Sequence, residues 1–340
     1  MEKIILKCRF ITPAFVYGNG SEPEIRASSI KGLMRFWWRA AYKEFKNVID
    51  MRNKESEIFG GKIIEGKEEF LKKSKVKIIA ELGDTYTILG NGNLKQTCNH
   101  MKGYEYLFYS ILYLNKDKKY FDEGTEFSVT LQFLDKNKEY VKEYLKAFNL
   151  LEIFGGIGTR SRRGGGNFVV EDIDNKSSLS MDNIKKYLYT ECFKNEKPLI
   201  NYCKNILEVK ESSECRNYPN IISEGCKIYL CNLNMENSKI KNNFMDNLNF
   251  IGRTYKEIRN NYLKSESSSS KPVRGASPLI IKILRDGADC KILLIKLAGV
   301  FNSTEKNKKA YEGENDIVDL LFEKYDEMLK KGRIKICRLK

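Results

Sequence analysis

Residues 3–11 alternate apolar and polar positions with the period of a half-buried strand, and 75–82, 125–134 and 167–173 read as further strands. Between them lie two stretches with helical spacing. One starts at Ser28 or Ser29 and runs to about residue 45, with Ile30, Leu33, Met34, Trp37 and Ala41 on its apolar face. The other spans 139–154, with Tyr140, Val141, Tyr144, Leu145, Phe148 and Leu151 on one side. Residues 83–102 read as a polar loop and 104–114 as another apolar strand. The order is strand, helix, strand or strand pair, helix, strand, which is the split βαβ plan. It then recurs: strands at 226–233, 277–284, 290–298 and 333–339 enclose helices at 244–263 and 314–330. The pattern therefore predicts an α+β chain with two ferredoxin-like βαββαβ domains in tandem, at 1–175 and 226–340. Residues 176–225 form a mostly helical linker or insertion.

Charge narrows the partner. The 340 residues carry 60 Lys and Arg against 45 Asp and Glu, a formal charge of +15, which favours nucleic acid or another polyanion. Nine scattered cysteines without a C-x2-C pair fit reduced thiols better than disulfides or zinc. The single histidine, His100, excludes a histidine-based metal cluster. No metal or cofactor is expected. The chain opens on a charged strand and holds no apolar run near 18 residues, so a cytoplasmic protein away from membranes is expected.

Two stretches have the chemistry to meet a polyanion. In Gly155-Gly156-Ile157-Gly158-Thr159-Arg160-Ser161-Arg162-Arg163-Gly164-Gly165-Gly166-Asn167-Phe168, glycines free the backbone so that phosphate can approach main-chain N–H groups. The arginines add forked, charged donors. The loop joins a helix to a strand, the reverse of the dinucleotide fingerprint and the P-loop, so nucleotide folds are excluded. In the first helix Lys31, Arg35 and Arg39 form a stripe four residues apart, with no acid before Glu44 and with Trp38 and Tyr42 at its border. Stacking on bases and contacts to phosphates are expected there, with Arg26 and a Ser28 N-cap completing an anion site. In the second half a serine-rich segment, 265–270, is unable to pack, and expected to be disordered without a ligand.

Residues 26–39, the Glu57-Ile58-Phe59-Gly60-Gly61 turn and the glycine-arginine loop together resemble the RAMP superfamily of CRISPR systems. The likeness is strongest to first subunits of the Cmr (type III-B) RNA-guided effector complexes, and it extends to Arg274-Gly275-Ala276-Ser277-Pro278-Leu279. It implies an RRM-like RAMP fold and a non-catalytic subunit near the 3′ end of a guide RNA. The implied partners are guide RNA, target RNA and other Cmr-complex RAMP subunits, with Arg274 and Ser277 touching the ligand.

Cleavage of RNA would need a general acid and base near the 2′-hydroxyl. His100 stands alone, and Tyr17 with Lys31 is a poor substitute, so the rival expectation of a guide-processing endoribonuclease is weaker, as is that of a protein–protein scaffold. The central expectation is one groove: the basic helix and a flexible basic loop side by side over the first sheet.

Overall fold

The computed structural model describes residues 1–18, 20–44, 46–114, 117–188, 218–232, 244–265, 277–286, 289–299, 305–331 and 334–340. Its contacts divide the chain into two units. The first holds Met1–Ile88, Tyr120–Thr159 and the chain from Gly165, and the second Leu89–Lys119, Arg160–Gly164 and the described chain from Tyr218 onward.

In the first unit, β1 (Glu2–Phe10) leads to α1 (Ala27–Ala40), α2 (Val48–Phe59), the hairpin β2 (Gly61–Glu65) and β3 (Glu68–Lys72), and then β4 (Val76–Leu82). Short strands β5 (Ile88–Gly90) and β6 (Lys119–Phe121) bracket the segment belonging to the second unit. The chain continues as β7 (Glu126–Phe133), α6 (Lys138–Phe154), β8 (Phe168–Lys176) and α7 (Met181–Lys185). The sheet runs β4-β7-β1-β8, antiparallel throughout. Ile4, Leu6, Cys8 and Phe10 of β1 are buried in alternation, as a sheet with one covered face requires. Lys7 pairs with Asp172 at 2.7 Å, and Arg9 with Glu126 and Glu171 at 3.1 and 2.8 Å, all from alternate positions of β1. Opposite Lys7 and Cys8 the register of β8 slips. The Val170 N–H donates there to Glu152 of α6 at 2.8 Å, so a buried carboxylate accepts from backbone beside the bulge.

The second unit contains α3 (Asn91–Thr97), α4 (Lys102–Leu107) and α5 (Tyr109–Leu114). It then adds β9 (Lys227–Asn232), α8 (Phe244–Ser265), β10 (Leu279–Asp286), β11 (Asp289–Lys296), α9 (Glu305–Lys330) and β12 (Lys335–Arg338). Its sheet order, β10-β11-β9-β12, is also antiparallel. Ile292 to Ile295 of β11 are all buried, as an inner strand covered on both faces reads. In both sheets the first strand lies between the third and fourth of its set, with the second at the edge. Two sequence expectations are overturned. Residues 83–102 are not one loop but include β5 and α3, and 104–114 is not a strand but lies in α4 and α5. Tyr104, Leu107, Phe108, Ile111 and Leu112 are buried at helical spacing. α4 packs on α8 where Gly103 and Gly252 meet, each leaving no room for a Cβ on the other's helix. Asn249 accepts from the Gly103 N–H at 2.9 Å.

The expected linker lies partly outside the described residues, as do the serine-rich segment beyond Ser265 and Arg274. Among the described residues no helix is long and apolar enough to cross a membrane.

Candidate nucleic-acid interface

The base of the glycine-arginine loop belongs to the first unit, and its tip, Arg160–Gly164, is grouped with the second. α6 ends with the Gly155 N–H donating to Leu151 O at 3.0 Å, and then the chain doubles back on itself. Ile157 N–H donates to Gly166 O at 2.9 Å, Gly166 N–H to Pro13 O at 2.8 Å, and Thr159 N–H to Phe15 O at 2.9 Å. Asn167 donates its backbone N–H to Thr12 Oγ1 at 2.9 Å, and its amide group reaches the carbonyls of Gly155 and Gly165. The base of the loop is thus a hydrogen-bonded ribbon, with Gly155, Gly156, Gly164, Gly165 and Gly166 buried. It is not the flexible hairpin expected, because the segment after β1 supplies acceptors at each step. Gly158 has φ +97°, and a Cβ there would lie 2.6 Å from Phe15 O. This glycine serves close backbone packing, not approach to phosphate.

The tip projects the cations. Arg160 has φ +65°, and its carbonyl accepts from the Arg163 N–H at 2.7 Å, closing a turn around Ser161 and Arg162. In the second unit Arg160 Nε donates to Ser110 Oγ at 2.8 Å. The backbone of Arg162 accepts from Ile281 N–H at 3.1 Å, and Arg163 donates to Leu279 O at 2.8 Å. The Arg163 guanidinium also lies 5.3 Å from the centre of the Tyr255 ring, a cation–π distance. Tyr255 hydroxyl stands 3.3 Å from Ser277 Oγ and donates to Glu314 at 3.3 Å, while Arg259 pairs with Glu314. Ser277 is therefore brought into the same neighbourhood as the arginine tip. Burial first, and then the neighbouring Arg163 charge, pull the Arg160 and Arg162 guanidiniums below the usual arginine range. Burial is the larger cause, and the repulsion from Arg163 is the lesser one, which an anion would relieve.

The first helix is more structural than its sequence suggests. Arg35 Nε and Arg39 Nη1 both reach one oxygen of Glu55, each at 2.5 Å, and Glu55, from α2, is only 4% exposed at its side chain. The basic stripe therefore has its acidic counterpart, from an element twenty residues away. The two arginine side chains stay about one third exposed, at 33% and 32%. Trp38 is corrected: it is buried, donates to Glu143 at 3.1 Å, and stacks on Tyr42 at 4.7 Å. Its ring is core, closed to bases. Ser28 is corrected too. Arg26 occupies the N-cap position, without a capping side chain, so Ser28 lies exposed within the first turn. Arg26 pairs with Glu24 at 2.8 Å. Lys31 is held below the usual lysine range by burial and then by Arg35. Trp37 lies against Gly155 in the first unit, where a Cβ would meet the indole.

The RAMP superfamily model matches residues 7–169, spanning the first helix and the whole glycine-arginine loop. Among curated proteins, the chain is 27% identical over 185 residues to the CRISPR system Cmr subunit Cmr1-2 of Pyrococcus furiosus, covering 50% of this chain and 96% of that protein. It is 28% identical over 212 residues to Cmr1-1 of the same organism, covering 58% and 56% respectively. The chain resembles a CRISPR RAMP of the Cmr1 kind. The fold agrees. The crystal structure of apo Cmr1 from Pyrococcus furiosus superposes on this chain with a TM-score of 0.67 at 20% identity, covering 100% of this chain and 99% of that one. A chain of the type III-B Cmr-beta cryo-EM structure, bound to cognate target RNA and AMPPnP in the presence of ssDNA, gives 0.54 at 13% identity, covering 94% and 99%.

The sequence alone did not point to Ser110, Tyr255, Arg259 and Glu314, nor to Tyr106, whose ring lies 5.9 Å from that of Tyr255. Tyr106 and Ser110 sit four residues apart, a helical signal hidden because their segment read as a strand. Tyr255 and Arg259 show the same spacing on a helix that was expected, but nothing local tied them to the loop.

Proposed function

We propose that the chain is a non-catalytic, RNA-binding subunit of a type III-B CRISPR (Cmr) interference complex, built on two ferredoxin-like domains in tandem. It would lie near the 3′ end of the guide RNA, contact guide or target RNA, and dock on other RAMP subunits in the cytoplasm during antiviral defence. The names of its relatives and the RAMP match support the complex. The observation that carries RNA binding is the gathering of Arg160, Arg162 and Arg163 on one turn, closed by the Arg163 N–H on Arg160 O and held by the bonds of Arg160 to Ser110 and of Arg163 to Leu279 O. Guanidiniums fixed in this way meet phosphate oxygens bidentately without first losing much freedom. Ser277, and Arg274 beyond the described residues, would add contacts. Arg35 and Arg39 would contribute less, since Glu55 already offsets their charge, and Lys31 would add to them. A nuclease reading gains nothing from Tyr17, whose hydroxyl burial pushes up to about 12, because a general base works best with a pKa near the operating pH.

Salt titration of single-stranded RNA binding tests this reading. With about −0.7 in log–log slope per phosphate, the three tip arginines alone give roughly −2. Adding Lys31, Arg35 and Arg39 gives roughly −4. A slope near zero would contradict electrostatic RNA binding altogether.

A further inference from the structure

We propose that Tyr109 is a base-stacking platform for single-stranded RNA, holding one nucleobase on its ring while a flanking phosphate meets Arg160. The proposal rests on the RNA-binding reading above and names the ligand's strandedness and the residue that recognises its bases. Tyr109 opens α5 and is 54% exposed, a large ring left in solvent. The next residue, Ser110, accepts the hydrogen bond from Arg160 Nε at 2.8 Å. Tyr109 and Tyr113, one turn apart, hold their rings 4.9 Å apart at 37°. Tyr113 is in turn fixed at both ends: Lys95 Nζ stands 5.3 Å from its ring centre, and its hydroxyl donates to Glu105. The platform is therefore braced from beneath while Tyr109 faces outward.

The surroundings choose the occupant. Glu105 is already engaged by Tyr113 and, at 3.1 Å, by Lys102, while Lys95 stands over the Tyr113 ring and Arg160 bonds to Ser110, the residue after Tyr109. An apolar protein surface would strip water from those cations without replacing it. A nucleic-acid strand brings a flat π-face for the ring and an anion for the guanidinium, a nucleotide's two halves. The strand must be single, because paired bases have no free face.

The test measures binding of the full chain to a short single-stranded RNA and to an abasic ribose–phosphate oligomer of equal length. Tyr109→Ala should weaken the RNA roughly tenfold, in the range of losing one stacked base, and leave the abasic oligomer unchanged; Tyr109→Trp should restore binding. An affinity for RNA unchanged by Tyr109→Ala, while Arg160→Ala with Arg163→Ala still lowers it, overturns the platform and leaves the RNA reading standing. Failure of the wild-type chain to bind RNA sinks both. Equal losses on both oligomers would reduce Tyr109 to a structural support, and preference for polyglutamate over RNA would reassign the surface to an acidic protein; either result overturns the proposal.

Discussion

Replacing Arg160 and Arg163 together by alanine is expected to weaken single-stranded RNA binding roughly a hundredfold, since a hydrogen bond to a charged group contributes about 1.5–3 kcal/mol and two would be lost. The fold should survive. Arg163 also donates to Leu279 O and covers the Tyr255 ring, so its removal costs stability, about 1.5–3 kcal/mol for a bond from a charged donor, which is less than the ~5–15 kcal/mol that holds a domain folded. Urea unfolding beside fluorescence anisotropy separates the two effects. Unchanged affinity would move the site away from the tip, whereas lost affinity with intact unfolding would fix it there. The companion change Arg160→Lys with Arg163→Lys keeps the charge and loses the fork, and should fall between the two.

Gly166→Ala is expected to be the most damaging single substitution in the loop. Gly166 has φ +59°, and a Cβ there would overlap the Ile157 carbonyl oxygen, which is backbone and cannot swing aside. The left-handed conformation costs an alanine about 1–2 kcal/mol and overpacking a further 1–3 kcal/mol. The total, roughly 3 kcal/mol, is a large share of a domain's stability. Because Gly166 also exchanges backbone hydrogen bonds with Ile157 and Pro13, its displacement should shift the arginine turn and depress RNA binding as well. Gly66 supplies the control: φ is +62°, but no atom lies within 4 Å of its would-be Cβ. Gly66→Ala should cost only about 1–2 kcal/mol and leave RNA binding intact. Equal unfolding midpoints for the two variants would contradict the packing account of the loop.

Much of this was legible in the sequence because the signals were local. β1 shows its covered face in the alternation of Ile4, Leu6, Cys8 and Phe10, and α6 shows its buried side at Val141, Tyr144, Leu145 and Phe148. The repeated order of strands and helices followed from such segments. What could not be read depended on distant partners. Glu55 lies twenty residues from Arg35, so the stripe on α1 looked uncompensated. Trp38 bordered that stripe and resembled a stacking platform, but Tyr42, Phe59 and Glu143 enclose it. The platform argued for here, Tyr109, was concealed differently. In 104–114 exposed or half-buried Tyr106, Tyr109 and Tyr113 fill the gaps between Tyr104, Leu107, Phe108, Ile111 and Leu112. A helical period thereby became a continuous apolar run. Glycines 155–166 announced a special backbone, but whether it moved or was clamped depended on acceptors at Pro13 and Phe15.

The most direct test of the central claim, that a rigid arginine turn is the RNA contact, is ultraviolet cross-linking of the chain to single-stranded RNA, alone and within an assembled Cmr complex, followed by peptide mapping. Cross-links should concentrate on the peptides carrying residues 160–163 and Tyr109. Adducts confined to other parts of the chain, with both of those peptides unmodified, would contradict it.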